Sequence, residues 1–109
     1  MKRVWSYILP LPVESVDQLK VLLSVFSSEV SIRILERIRP EGRTYQKELL
    51  ETLPYSSRTV ISRLKSLVSA GVLREGLERR RVSGRTVWVK WYAPTFVGKW
   101  IITLVTPPE

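Results

Sequence analysis

At 109 residues the chain has the size of one domain, and its 44% of apolar residues is enough for a single small core. It has no cysteine and no histidine, which excludes disulfides, Cys/His metal sites and the commonest general base. Its net charge of +8 is unevenly held: residues 1–54 carry eight Lys/Arg against seven Asp/Glu, residues 55–109 ten against three, the footprint of a surface for a polyanion such as nucleic acid.

The N-terminal stretch MKRVWSYILPLPVES begins basic and apolar, but two prolines and a serine break it and no small-residue cleavage pattern follows. We read residues 1–14 as an arm, residues 15–106 as a single domain and residues 107–109 as a tail. No run reaches the 18 or more apolar residues that span a bilayer, so a cytoplasmic protein without membrane contact is expected. Scarce Asn, Gln, Cys and Met beside abundant Arg and Glu is a heat-adapted composition.

Ser15 and Gln18 form a capping-box pattern ahead of Val16, Leu19, Leu22, Leu23 and Phe26 at helical spacing. Ser28 caps a second helix with Val30, Ile34, Leu35 and Ile38 on one face. Arg39-Pro40-Glu41-Gly42 is a turn. Thr44 is then expected to cap a short helix from Tyr45 to about Leu53, which Pro54 ends.

Ser56 is the expected N-cap of the next helix, about 57–70, with Tyr55 and Val60 as a hydrophobic staple and Gly71 as its stop. Val60, Ile61, Leu64, Leu67 and Val68 make its apolar stripe. The opposite side carries Ser57, Arg58, Thr59, Ser62, Arg63, Lys65 and Ser66, and no acid occurs from Pro54 to Arg74. A solvated helix face usually mixes Glu with Lys. Short hydroxyls and forked Arg donors are instead what base edges require, and acids there would repel phosphates.

After Gly71 the period becomes that of strands: residues 72–77 and 86–92, joined through LERRRVSGRT with Ser83-Gly84 as the hairpin turn. Arg79, Arg80, Arg81 and Arg85 make this hairpin cationic, suited to phosphates or a narrow minor groove. Alternation places Trp88 and Tyr92 on one face and Trp91 on the other; both sets are expected half-buried, Trp91 in the core and Tyr92 against the last helix, rather than as stacking platforms. Thr95 caps a final helix, Phe96 to about Val105, apolar nearly all round and therefore more than one core can cover.

Two helices three or four residues apart, then a basic hairpin, outline a winged helix. The run KELLETLPYSSRTVISRLKSLVSAGVL resembles the helix-turn-helix of ArsR-type and MarR-type transcriptional regulators, and Tyr92-Ala93-Pro94-Thr95-Phe96-Val97-Gly98 resembles the Tyr-x-Leu-Thr-x-x-Gly run that leaves their wing. The resemblance covers Leu53 to Gly98 best. It implies an α+β, mainly α fold: a winged helix-turn-helix with a two-stranded wing and a C-terminal apolar helix.

The function expected is a homodimeric, sequence-specific regulator binding double-stranded DNA, not an enzyme, with no cofactor and no Cys/His metal effector. Thr44, Gln46, Lys47 and Ser56 join the helix and wing residues above as DNA-binding candidates. Leu22, Phe26, Phe96, Trp100, Ile101 and Leu104 are the dimer candidates. A protein-interaction module and a non-specific architectural DNA binder are the alternatives, since winged helices serve both.

Overall fold

A computed structural model describes residues 16–105. The arm, the Ser15 cap and the tail lie outside the described residues. In chain order the elements are α1 (Val16–Phe26), α2 (Glu29–Arg37), β1 (Thr44–Tyr45), α3 (Gln46–Thr52), α4 (Ser57–Ser69), β2 (Leu73–Val82), β3 (Arg85–Pro94) and α5 (Phe96–Val105). The strands form one antiparallel sheet in the order β1-β3-β2. This is the winged-helix architecture, with a short third strand at the root of the two-stranded wing.

Local chemistry sets most boundaries. Ser28 Oγ accepts from the Ser31 N–H at 3.2 Å and Ser56 Oγ from the Thr59 N–H at 3.2 Å, so α2 and α4 start on serine caps. At the end of α4, Gly71 has φ +77°. Its N–H donates to the Val68 carbonyl and the Val72 N–H to the Leu67 carbonyl, both at 3.0 Å. That is a Schellman closure, in which a left-handed residue lets two carbonyls at the helix end be satisfied. Ser83 and Gly84 both have positive φ, 52° and 79°, as the two-residue type I′ turn of a twisted hairpin requires.

Thr44 departs from expectation. It does not cap α3 but lies in β1 opposite Tyr92, 1% exposed, with Oγ1 accepting from the Arg39 N–H at 2.9 Å. The capping role falls to Glu48, whose Oε1 accepts from the Tyr45 N–H at 2.9 Å. Arg39 grips both oxygens of the same carboxylate, at 2.6 and 2.9 Å. This guanidinium, with the Tyr45 N–H, holds the Glu48 carboxyl below the usual carboxylate range. Pairing with a strand far along the sequence has displaced a local cap.

One core gathers all five described helices onto the root of the wing. Leu22 and Val25 of α1, Ile34 and Leu35 of α2, Leu49 of α3, Val60, Leu64 and Leu67 of α4, Leu73 and Tyr92 of the sheet, and Ile101 and Ile102 of α5 are all buried in it. Leu22 and Ile101, expected at a dimer interface, are thus core residues. An apolar helix face reads the same in sequence whether its cover comes from its own chain or another.

The two buried aromatics of β3 also differ from expectation. Tyr92 is in the core, but its hydroxyl reaches α3 and donates to Gln46 Oε1 at 2.8 Å. Burial, and secondarily the charge of Glu75, pushes that hydroxyl's pKa up to about 12. Trp91 is buried outside the main cluster, on the opposite sheet face, with the Arg43 guanidinium 4.2 Å from its ring centroid and that of Arg74 at 5.6 Å. Opposite Trp91 in the register stands Gly76, where any Cβ would overlap the indole.

A three-way joint fastens α4, the wing and α5 together. The Thr95 N–H donates to the Val72 carbonyl at 3.1 Å. The Thr95 hydroxyl lies 2.5 Å from the Gly71 carbonyl oxygen and 3.0 Å from that of Val72, and accepts from the Gly98 N–H at 3.1 Å. Gly98 then lets the α5 backbone lie directly on the Val72 carbonyl, since a Cβ there would overlap that oxygen. Among the described residues no helix is long and apolar enough to cross a membrane.

Candidate nucleic-acid interface

α4 turns its two sides to different solvents. Val60, Leu64 and Leu67 are fully buried, while Ser57, Arg58, Thr59, Ser62, Arg63, Lys65 and Ser66 are exposed. Among the described residues, no carboxylate lies within ion-pair distance of Arg58, Arg63 or Lys65. These three cations are therefore not neutralised by the described part of the chain. The first turn of the helix holds no acid to oppose its positive dipole end.

The hydroxyls are not equally available. Ser56 Oγ, besides capping Thr59, donates to Thr59 Oγ1 at 2.9 Å. Ser66 Oγ donates to the Ser62 carbonyl at 3.2 Å, one turn back along its own helix. Ser57 and Ser62 stand exposed beside Arg58 and Arg63.

Of the candidates around α3, Lys47 alone is freely exposed, in a loose pair with Glu51 at 4.0 Å. Gln46 is half-buried and spends its carbonyl oxygen on Tyr92. Thr44, buried with its hydroxyl engaged, is removed from the surface. Sequence spacing gave no warning of either, because both are committed to β3, more than forty residues away.

The wing sorts its arginines by face. Cross-strand pairing puts Arg79 opposite Trp88 and Arg81 opposite Thr86, whereas Arg80 pairs with Val87 on the other side. Glu78, on the side of Arg80, receives Arg80 Nε at 2.6 Å, the Tyr45 hydroxyl at 3.0 Å and Arg43 Nη1 at 3.0 Å. Arg80, then Tyr45 and Arg43, keep the Glu78 carboxyl below its ordinary range. Arg80 also lies over the Tyr45 ring at 4.3 Å. It therefore braces the root of the wing and presents a largely spent charge, unlike Arg79 and Arg85, which have no carboxylate within ion-pair distance among the described residues. Arg81 makes only a 3.3 Å bond to the Gly84 carbonyl.

Trp88 is not half-buried as expected: it is 63% exposed, and Leu77 on the same face is 59% exposed. The strands run to Val82 and from Arg85, further out than predicted, and Trp88 only borders the groove that the hairpin shares with α3. On α5, Phe96 is 70% and Leu104 58% exposed and Trp100 is half-buried, as is Phe26 at the end of α1.

No known family model matches this chain, and no curated protein sequence does. Among solved structures it is similar to HlyU from Vibrio cholerae N16961, with a TM-score of 0.59 at 20% identity, over 82% of this chain and 88% of that one. At that identity the likeness speaks for the winged-helix fold.

Proposed function

We propose that this chain is a sequence-specific regulator of transcription that binds double-stranded DNA. The observation that carries the reading is the exposed side of α4: two arginines, a lysine and several hydroxyls, with no carboxylate near the cations among the described residues. In a winged helix this element is the one shaped to enter a major groove about 12 Å wide. Arg58 and Arg63 are the base-reading donors, Ser57, Thr59 and Ser62 adaptable ones, and Lys47 and Lys65 flanking phosphate contacts. The wing, residues 78–86, lies along phosphates or in the adjoining minor groove through Arg79, Arg81 and Arg85.

The active species is a homodimer. Phe96 and Leu104 leave an apolar strip along α5, and Val16 and Leu23 another on α1; water-facing apolar patches of this kind mark association surfaces. Phe26 and Trp100 border them. Two-fold pairing would set two recognition helices about 34 Å apart, one turn of DNA.

The wing contributes through charge. Replacing Arg79 or Arg81 by Ala is expected to weaken binding to every duplex and to lower the slope of log K against log salt by about one unit for each phosphate left without its arginine. Titration of a labelled duplex with wild type and both variants at several salt concentrations measures it. An unchanged slope in both variants takes the wing out of the interface; no duplex binding by the wild type overturns the reading itself.

A further inference from the structure

The projecting hairpin has two unlike faces. On one, Glu78 collects Arg43, Arg80 and the Tyr45 hydroxyl, so charge is balanced within the protein. The other carries Leu77, Arg79 and Arg81 on β2 and Thr86, Trp88 and Lys90 on β3, in the pairs Leu77–Lys90, Arg79–Trp88 and Arg81–Thr86. Its one carboxylate, Glu75, is held by Lys90 Nζ at 2.6 Å. Beyond that pair the face is acid-free and cationic, and an exposed indole sits directly across from Arg79.

The indole, 63% exposed, borders the groove between the hairpin and α3, while its neighbours Val87 and Val89 alternate to the opposite face. Its surroundings name the partner. An acidic protein surface would satisfy the arginines but offers no reason for an aromatic among them. A nucleic acid offers both chemistries within a few ångströms, phosphates for the guanidiniums and a base face or sugar edge for the indole. Trp88 stands four residues back from Gly84, roughly 13 Å at 3.3 Å per residue, which exceeds the minor groove's depth of about 7.5 Å, so the hairpin meets the groove with this face rather than tip first.

We propose that Trp88, backed by Leu77, is an apolar wedge with which the wing enters the minor groove and partly unstacks one deformable base step, most readily pyrimidine–purine, while Arg79 and Arg81 hold the flanking phosphates. Minor-groove wedges of this kind kink the duplex and widen the groove that admits them, and the sequence dependence of that deformation is itself a source of specificity. The wing is thereby a reader of flexibility, complementing the base-edge reading of α4. This inference rests on the duplex-binding function proposed above.

The test uses the full chain and a duplex it binds, with 2-aminopurine placed at successive steps across the site and dyes on the two ends. Wild type should raise 2-aminopurine emission at one step outside the α4 contacts and shorten the dye-to-dye distance. Trp88→Ala should abolish both changes and weaken binding roughly 5- to 150-fold, the usual range for losing an aromatic stack on a base, with its melting temperature unchanged. Trp88→Phe should keep most of the emission change. Trp88→Ala that binds, bends and unstacks like wild type overturns the wedge while leaving the regulator reading intact. Failure of the wild type to bind any duplex overturns both.

Discussion

Alanine at Arg58 or at Arg63 is expected to cost about 1–3 kcal/mol at a specific duplex, a roughly 5- to 150-fold loss of affinity, and to relax the preference at one or two base pairs. Both side chains are exposed and carry no carboxylate partner among the described residues. Neither substitution therefore removes an interaction that stabilises the fold, and melting temperatures should stay within a degree or two of wild type. Lys65→Ala supplies the contrast. An ammonium on a flexible stem meets phosphate as a point charge, so its loss should lower affinity for all sequences alike without changing their ranking. Competition binding against a set of single-base variants of one duplex separates the two behaviours. If Arg58→Ala and Arg63→Ala lower affinity uniformly, like the lysine variant, α4 lies on the backbone and does not read bases.

The second large effect concerns the joint between α4 and α5. Helix propensity alone would make Gly98→Ala stabilising by about 1 kcal/mol, since Gly is among the worst residues inside a helix. The structure reverses the sign. A Cβ at Gly98 overlaps the Val72 carbonyl oxygen, a backbone atom immediately after the Schellman turn, and stands 3.1 Å from Pro94 Cβ. Backbone cannot yield as a flexible side chain can, so the overpacking cost falls toward the upper end of the usual 1–3 kcal/mol. A net loss of about 1–2 kcal/mol should appear as a fall of roughly 4–16 °C in melting temperature for a domain of this size. A melting temperature equal to or above wild type would mean that α5 does not press on Val72. Because Thr95 joins the same carbonyls, a shifted α5 should also tilt the end of α4, and Gly98→Ala should bind DNA more weakly than its stability loss alone explains.

What was legible in the sequence was what local chemistry decides. Ser28, Ser56 and Thr95 cap the helices they were expected to cap, Gly71 ends α4, and Ser83-Gly84 turns the hairpin. Each of these depends on residues within a few positions. The division of α4 into a buried stripe and an acid-free exposed side was legible for the same reason, since periodicity fixes which residues share a face. Most misplacements involve distant partners. Thr44-Tyr45 reads as a helix start because nothing nearby tells that Trp91-Tyr92 will pair with it. Arg80 is the exception: strand alternation already puts Glu78, two residues back, on its own face, and the fold adds only Arg43 and Tyr45 to that carboxylate. Trp88 and Val89 look alike in a strand pattern, yet the tryptophan is 63% exposed and the valine half-buried. Leu22 and Ile101 look no different from Leu104, yet they are buried within one chain and Leu104 is not.

The central claim, that the exposed side of α4 reads DNA sequence, is tested most directly by selecting bound duplexes from a random library at about 150 mM salt, where surface charges are screened beyond about 8 Å. The expected result is an enriched palindromic motif whose half-sites lie about one helical turn apart and which Arg58→Ala and Arg63→Ala degrade at defined positions. Duplexes retained without any enriched motif, or none retained, would contradict it.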